Sequence, residues 1–311
     1  STYGAQDSEV PQVVPGVGGA SLRVGDSVWL RGADKSRGQM FIRGLLTAVR
    51  LDRCTVTTVD GGAVLSKQPG EIYPANPADD APGDHSALIH LNEPCILENT
   101  RQRYAKDEIY TYTGRILVAL NPFRQLDIYG TDKVASFSQR SSKTPAPPHV
   151  YAVAEQAYAR MQRTGTNQAV VMSGESGAGK TETNKKALEY ITWRAGKGNA
   201  TLTTRILQAN PLLETLGNAK TARNSNSSRF GKCVRLGTHP ETGELLGGVV
   251  QTYLLEKSRV ISFSEQERNF HAFYQLLAAV SAVSPEAAAA ADKGAGDRGM
   301  LSKMFGGGDA P

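Results

Sequence analysis

Gly174-Glu175-Ser176-Gly177-Ala178-Gly179-Lys180-Thr181 matches the pattern G-x-x-x-x-G-K-[ST] at every fixed position. Glycines at those places let consecutive backbone N–H groups wrap an anion with no Cβ in the way. A helix beginning near Lys180 adds the positive end of its dipole at the same point. Lys180 has the reach for β and γ phosphates, and the Thr181 hydroxyl suits a Mg²⁺ ligand. At average residue frequencies the bare pattern arises by chance in about one chain in a hundred of this length. The flanks supply the context the motif requires: a short apolar run, Ala169 to Met172, reads as a strand leading in. Thr181 to Trp193 reads as a helix with Ala187, Leu188 and Ile191 inward. The loop is thus read as holding the phosphates of a Mg²⁺-bound nucleoside triphosphate. The domain around it is read as α/β, with a P-loop NTPase-type mixed sheet and flanking helices.

Working upstream, Val150 to Arg163 has helical spacing, with Val153, Ala157, Tyr158 and Met161 on one face. Ser136 to Pro148 reads as a polar, Pro-containing loop, and Ile109 to Ala119 as a β-favouring run ending at Asn121-Pro122. Ala75 to Asp84 has a linker composition. Before them, Val28-Trp29-Leu30, Arg43 to Leu51, Thr55 to Val59 and Ala63 to Ser66 are short β-favouring runs. Gly25-Asp26, Asp60-Gly61-Gly62 and Pro69-Gly70 mark the turns between them. Residues 21–75 are therefore expected to form a small SH3-like β-barrel, and 1–20 a flexible leader. Downstream, a helix is expected over Thr203 to Asn210. Lys232 to Leu236 and Leu245 to Leu255 read as strands joined at His239 to Gly243. Glu267 to Val280 reads as a helix whose Phe270 to Leu277 stripe packs in a core. Residues 76–286 would form the nucleotide-binding part, and 287–311 an Ala/Gly-rich disordered tail.

The 311 residues carry a net charge of +5, with 40% apolar and 21% charged residues, ordinary soluble usage with a mildly basic surface. That suits attraction to an anionic partner. No basic stripe with interleaved aromatics and no nucleic-acid recognition module is present, so nucleic acid is not expected as a partner. Cys54, Cys95 and Cys233 have no CxxC spacing and read as free thiols of a reducing compartment. No apolar run reaches the roughly 20 residues of a membrane span, and the N-terminal residues lack the basic and apolar regions of a signal peptide. A cytosolic location without membrane insertion is expected. The five histidines have no metal-ligand spacing, and Gly174 to Gly177 is one residue short of the G-x-S-x-G of a serine hydrolase.

A second segment carries phosphate chemistry. Residues 218–232, NAKTARNSNSSRFGK, pack amide, hydroxyl and cationic side chains together beside a strand. Alone such a run is usually a solvated loop. Beside a phosphate loop it offers a second wall, with hydroxyls to complete a Mg²⁺ shell and amides or cations to cover phosphate oxygens.

Here the sequence resembles the N-terminal part of a myosin motor head. GESGAGKT at 174–181 is the form that family's glycine loop takes, and 218–232 resembles its first switch loop almost letter for letter. Residues 121–129, NPFRQLDIY, are similar to its purine-binding loop. Further matches are 91–123, LLETLGNAKT at 212–221, and LLEKSRV followed by ERNFHAFYQLL between 254 and 277. The similarity runs from about Val24 to Ala278 in the right order. Kinesins share N-x-x-S-S-R but lack the purine loop, the leading barrel and GESGAGKT, and an unrelated P-loop phosphotransferase would lack both accompanying loops.

The resemblance implies ATP and Mg²⁺ as ligands, actin as a filament partner, and ATP hydrolysis coupled to movement in the cytoplasmic cytoskeleton. Light chains or calmodulin would join only a full-length protein. It implies that Asn121, Pro122, Arg124 and Tyr129 flank adenine, and that Gly174, Glu175, Ser176, Gly177, Ala178, Gly179 and Lys180, with Glu182 beside them, surround the phosphates. Thr181 and Ser228 would ligate Mg²⁺, and Asn224 would contact phosphate. Ser227 would position the attacking water, and Arg229 would form a gate-like pair with a glutamate of the second switch. Lys180, Ser227 and Arg229 are thus the candidate catalytic set. Arg124 stands where Lys is common, and Thr183-Asn184 departs from the usual Asn-Thr/Ser. The second switch, Asp-x-x-Gly-Phe-Glu, does not occur in the 311 residues. Arg229 is therefore expected to lack a partner here, and the chain alone to bind nucleotide weakly and turn it over poorly. A head fragment that binds without turnover is the alternative reading.

Overall fold

A computed structural model describes residues 13–32, 40–78, 80–139, 145–196 and 200–283. The chain divides into two compact units. The first comprises residues 1–128 with 141–152, and the second 129–140 with 153–311.

The first unit is built on strands whose side chains alternate between core and solvent, as a half-buried sheet requires. β1 (Val14–Pro15) pairs antiparallel with β2 (Ser21–Leu22). β3 (Ser27–Arg31), β4 (Phe41–Val49), β5 (Cys54–Thr58), β6 (Val64–Lys67) and β7 (Ile72–Pro74) form a five-stranded antiparallel sheet in the order β6-β5-β4-β3-β7. Val14, Leu22, Val28, Leu30, Leu46, Val49, Cys54, Val56 and Ile72 form one buried core. Fully burying a Val, Leu or Ile side chain contributes about 1.5–3 kcal/mol against the entropy lost in ordering the chain. Val14 and Leu22 belong to that core, so residues 14–22 take part in the folded unit where a leader through residue 20 is expected; residues 1–12 lie outside the described residues.

Helix α1 (Glu93–Ala105) follows, its N-terminus capped by Asn92, whose side chain accepts from the Cys95 N–H at 3.1 Å. The run at 109–119 is two strands, β8 (Tyr110–Thr113) and β9 (Ile116–Ala119), folded back at Gly114. Gly114 has φ +59°, which glycine adopts without strain, and this turns a continuous β-favouring run into a hairpin.

In the second unit, α2 (Thr131–Ser138) takes up residues 136–138 of the expected polar loop. α3 (Val150–Thr164) begins in the first unit and continues into the second. α4 (Lys180–Ala195) starts at the glycine loop, and Glu155 of α3 accepts from Tyr190 Oη at 2.8 Å and Arg194 Nε at 3.1 Å. α5 (Ala200–Gly217) continues past Pro211, well beyond the expected end at Asn210. β10 (Asn218–Ala219) pairs with β11 (Ser227–Ser228), and β12 (Gly231–Thr238) with β13 (Leu245–Tyr253), both antiparallel. Tyr158, Leu188, Ala195, Ile206 and Leu245 form the buried core of this unit.

Three expectations are corrected here. Residues 169–172 pair with no strand among the described residues, and Val171 is 84% exposed. A strand is defined by its neighbour, and an apolar run without one keeps its backbone groups for water. α6 (His271–Val283) starts four residues later than read from the pattern. Of its stripe only Phe270, just ahead of the helix, is buried, while Leu276 and Leu277 are exposed. The tail from 287 lies outside the described residues.

Candidate phosphate-binding site

The glycine loop adopts the backbone that its sequence requires. Gly174, Gly177 and Gly179 have φ of +152°, +83° and +93°. Gly179 is the left-handed residue immediately before α4, so the helix opens at Lys180 with its first N–H groups turned toward the loop. Lys180 Nζ donates to the carbonyls of Gly174 at 2.6 Å and Glu175 at 2.8 Å, holding the cation across its own loop. Glu182 sits in the first turn of α4, where negative charge suits the dipole, and pairs with Lys185 at 3.0 Å.

The Asn/Ser-rich segment is a small hairpin rather than a loop beside a strand. Asn218 lies opposite Ser228, and Ala219 opposite Ser227. Between them the Thr221 N–H donates to the Asn224 carbonyl at 2.8 Å, and the Asn226 N–H donates to Asn224 Oδ1 at 2.9 Å. These local bonds shape the tip of the hairpin and fix the Asn224 side chain.

Loop and hairpin meet. Ser176 Oγ and Ser227 Oγ are 3.0 Å apart, with Ser227 only 3% exposed. A Cβ added to Gly177 would stand 3.7 Å from the Arg223 carbonyl and 3.8 Å from Asn224 Cβ, so the two segments run side by side at van der Waals distance. Arg223 Nη1 approaches Glu175 Oε2 at 3.4 Å across the exposed rim. Backbone N–H groups, hydroxyls and amides thus converge with one lysine, a donor set that fits phosphate oxygens. Among the described residues no cluster of His, Cys, Asp or Glu could hold a metal by itself. Hydroxyls such as those of Thr181 and Ser228 suit a Mg²⁺ ion that is shared with phosphates.

Arg229 corrects an expectation. It has a partner within the chain: its Nε donates to Glu256 Oε2 at 2.5 Å, and its Nη1 donates to Ser227 Oγ at 3.3 Å. Glu256 also accepts from Arg259 Nε at 2.8 Å, and Arg259 Nη2 reaches Glu267 Oε2 at 3.0 Å. Arg259 and Arg229 together hold the Glu256 carboxyl below the usual carboxylate range. Glu256, Arg259 and Glu267 lie in the segments LLEKSRV and ERNFHAFYQLL, to which the sequence alone assigns no site role. The available signal was a glutamate three residues before an arginine, just after a strand.

The purine-loop residues fall in different units. In the first, Asn121 Oδ1 accepts from the Phe123 N–H at 2.9 Å, which supports Phe123 at φ +52°, and Arg124 pairs with Asp107. Pro122 lies between these two anchored residues. In the second unit, Lys186 Nζ lies 5.0 Å from the centre of the Tyr129 ring, a cation–π contact within that unit.

A glycine loop that opens a helix, closed on one side by a hydroxyl- and amide-rich hairpin, presents donor groups of the kind that suit an anion. Residues 82–291 match the family of the myosin head (motor domain). Similar proteins include Myosin-3 of Arabidopsis thaliana, 46% identical over 228 residues, which cover 73% of this chain and 19% of that protein. Myosin-8 of the same plant is 40% identical over 262 residues, 82% of this chain and 17% of the relative. Protein OPAQUE1 of Zea mays is 40% identical over 266 residues, 83% of this chain and 17% of the relative. The chain belongs to the myosin head (motor domain) family. It spans less than a fifth of the length of these curated relatives.

Proposed function

We propose that this chain is the ATP-binding part of an actin-dependent motor that couples Mg-ATP hydrolysis to filament binding and movement in the cytoplasmic cytoskeleton. The observation that carries the reading is the Ser176–Ser227 contact at 3.0 Å, which sets the glycine loop against the Asn/Ser hairpin. The chain's membership of the myosin head family supports it. In this reading the backbone from Gly174 to Gly179 and the Lys180 ammonium bind the phosphates, and Thr181 and Ser228 hold Mg²⁺. Asn224 covers a phosphate oxygen, and Ser227 orients the attacking water. Asn121, Pro122, Arg124 and Tyr129 flank the adenine. Mg²⁺ supplies charge neutralisation on the phosphates when bound. The sheet of residues 21–75 is assigned as an SH3-like barrel. Actin, and light chains or calmodulin, would be engaged by the full-length motor.

Titration of the 311-residue chain with a fluorescent ATP analogue tests the reading. Saturable binding that weakens on chelating Mg²⁺, with the metal effect reduced in Thr181→Ala and Ser228→Ala, is expected. Binding indifferent to Mg²⁺ would remove the metal assignment, and no binding at all would remove the site.

A further inference from the structure

Glu256 follows β13, 27 positions after Arg229, and carries none of the roles assigned to the loops. Three bonds converge on the Arg229 residue from outside its own segment. The Glu256 N–H donates to the Arg229 carbonyl at 2.9 Å, the Arg229 N–H donates to the Gly217 carbonyl at 2.9 Å, and the guanidinium meets the Glu256 carboxylate. From the same guanidinium a hydrogen bond runs to Ser227 Oγ, which is itself in contact with Ser176 of the glycine loop. The carboxylate is anchored from behind. Arg259, 4% exposed, grips it and donates as well to the Arg268 carbonyl at 3.0 Å and to Glu267. Glu267 Oε1 in turn accepts from the Ala222 N–H of the hairpin at 3.4 Å. The hairpin is therefore held at both flanks by one ion network, Arg229–Glu256–Arg259–Glu267.

Resting on the nucleotide reading above, we infer that Glu256 is a positioning residue of the phosphate site. It fixes Arg229, and through Arg229 it sets Ser227 against the glycine loop. The network's geometry favours this over a role confined to stability. The Arg229–Glu256 pair is half-buried, with 27% and 32% of the side chains exposed, and its carboxylate is shared between the buried Arg259 and the arginine that faces the site. With the charge of Glu256 removed, Arg259 retains its ion pair with Glu267, whereas the Arg229 guanidinium loses its ion pair and keeps its bond to Ser227 Oγ. The hairpin then samples positions in which Ser227 leaves Ser176.

The test is a double-mutant cycle on affinity for a fluorescent ATP analogue, using the 311-residue chain with Glu256→Gln, Arg229→Ala and both together. Glu256→Gln keeps the size, removes the charge and replaces one of the two acceptor oxygens with an N–H2 donor. The expected loss is roughly three- to tenfold in affinity, about 1.4 kcal/mol at the upper end. The same substitution should change affinity by less than about twofold once Arg229 is alanine, because its route to the site has gone. Melting curves accompany each variant, and Glu267→Gln, which touches the network at Arg259 and at the Ala222 N–H but not at Arg229, reports the loosening that does not pass through Arg229. Equal losses in both backgrounds, unchanged or tighter binding in Glu256→Gln, or affinity losses that merely follow melting temperature would each overturn the positioning role. Absence of binding by the unaltered chain would overturn the nucleotide reading itself and this role with it.

Discussion

Gly177→Ala isolates the glycine loop's backbone from everything around it. Gly177 sits at φ +83°, and an alanine Cβ there would meet only the Arg223 carbonyl at 3.7 Å and Asn224 Cβ at 3.8 Å. Those are ordinary contacts, so neighbours add no clash and the cost is local. An L residue held in the left-handed region loses about 1–2 kcal/mol. A free loop can escape by relaxing to negative φ, which swings a peptide N–H away from the anion, whereas a ligand-filled loop cannot. The strain is then drawn from binding, and at 1.4 kcal/mol per decade it weakens the nucleotide roughly five- to thirtyfold. Gly237→Ala is the control: no atom lies within 4 Å of its added Cβ and its φ is not positive, so affinity should stay within about twofold. Isothermal titration of each folded variant with Mg-ATP reads both numbers. Binding by Gly177→Ala as tight as by the unaltered chain, or an equal loss in Gly237→Ala, would refute the claim that the loop needs this backbone.

Two further expectations concern stability. His85 is 2% exposed, with Nδ1 2.9 Å from Thr113 Oγ1 and Nε2 3.2 Å from Thr100 Oγ1. Burial lowers its pKa, Asp84 opposes the shift and Arg103 adds to it. The unfolded chain therefore takes up a proton before the folded one does. The stability of the first unit should be full above about pH 6.5 and fall as pH drops below it. Melting temperature against pH checks this, and His85→Asn should flatten the slope between about pH 7 and 5. Tyr158 Oη donates to the Gly243 carbonyl at 3.0 Å inside the second unit. Tyr158→Phe should cost about 1 kcal/mol in urea unfolding, and no loss would show that water replaces the bond at no cost.

What the sequence disclosed divides along a physical line. The glycine loop was legible because its shape depends on the missing Cβ of Gly174, Gly177 and Gly179, a local property. The strands from Ser27 to Lys67 were legible because alternation and turn glycines are local too. Residues 169–172 misled because an apolar run becomes a strand only beside another strand. The fold-back at Gly114 had its signal in Thr113-Gly114, masked by β-branched residues on either side. α5 ran through Pro211 because a proline removes one backbone donor without forbidding the turns that follow when the rest of the helix packs. The Arg229–Glu256 pair could not be read, since the β12–β13 hairpin brings together residues 27 positions apart, and no periodicity encodes that.

The Gly174–Thr181 loop, with Lys180 as its cation, is the proposed holder of the Mg-ATP phosphates. Calorimetric titration of the 311-residue chain with Mg-ATP, beside Lys180→Ala, tests it most directly. Saturable one-to-one binding is expected, falling at least about tenfold, 1.4 kcal/mol, in a Lys180→Ala chain that melts as the unaltered one does. Equal binding by both, or none by either, would contradict it.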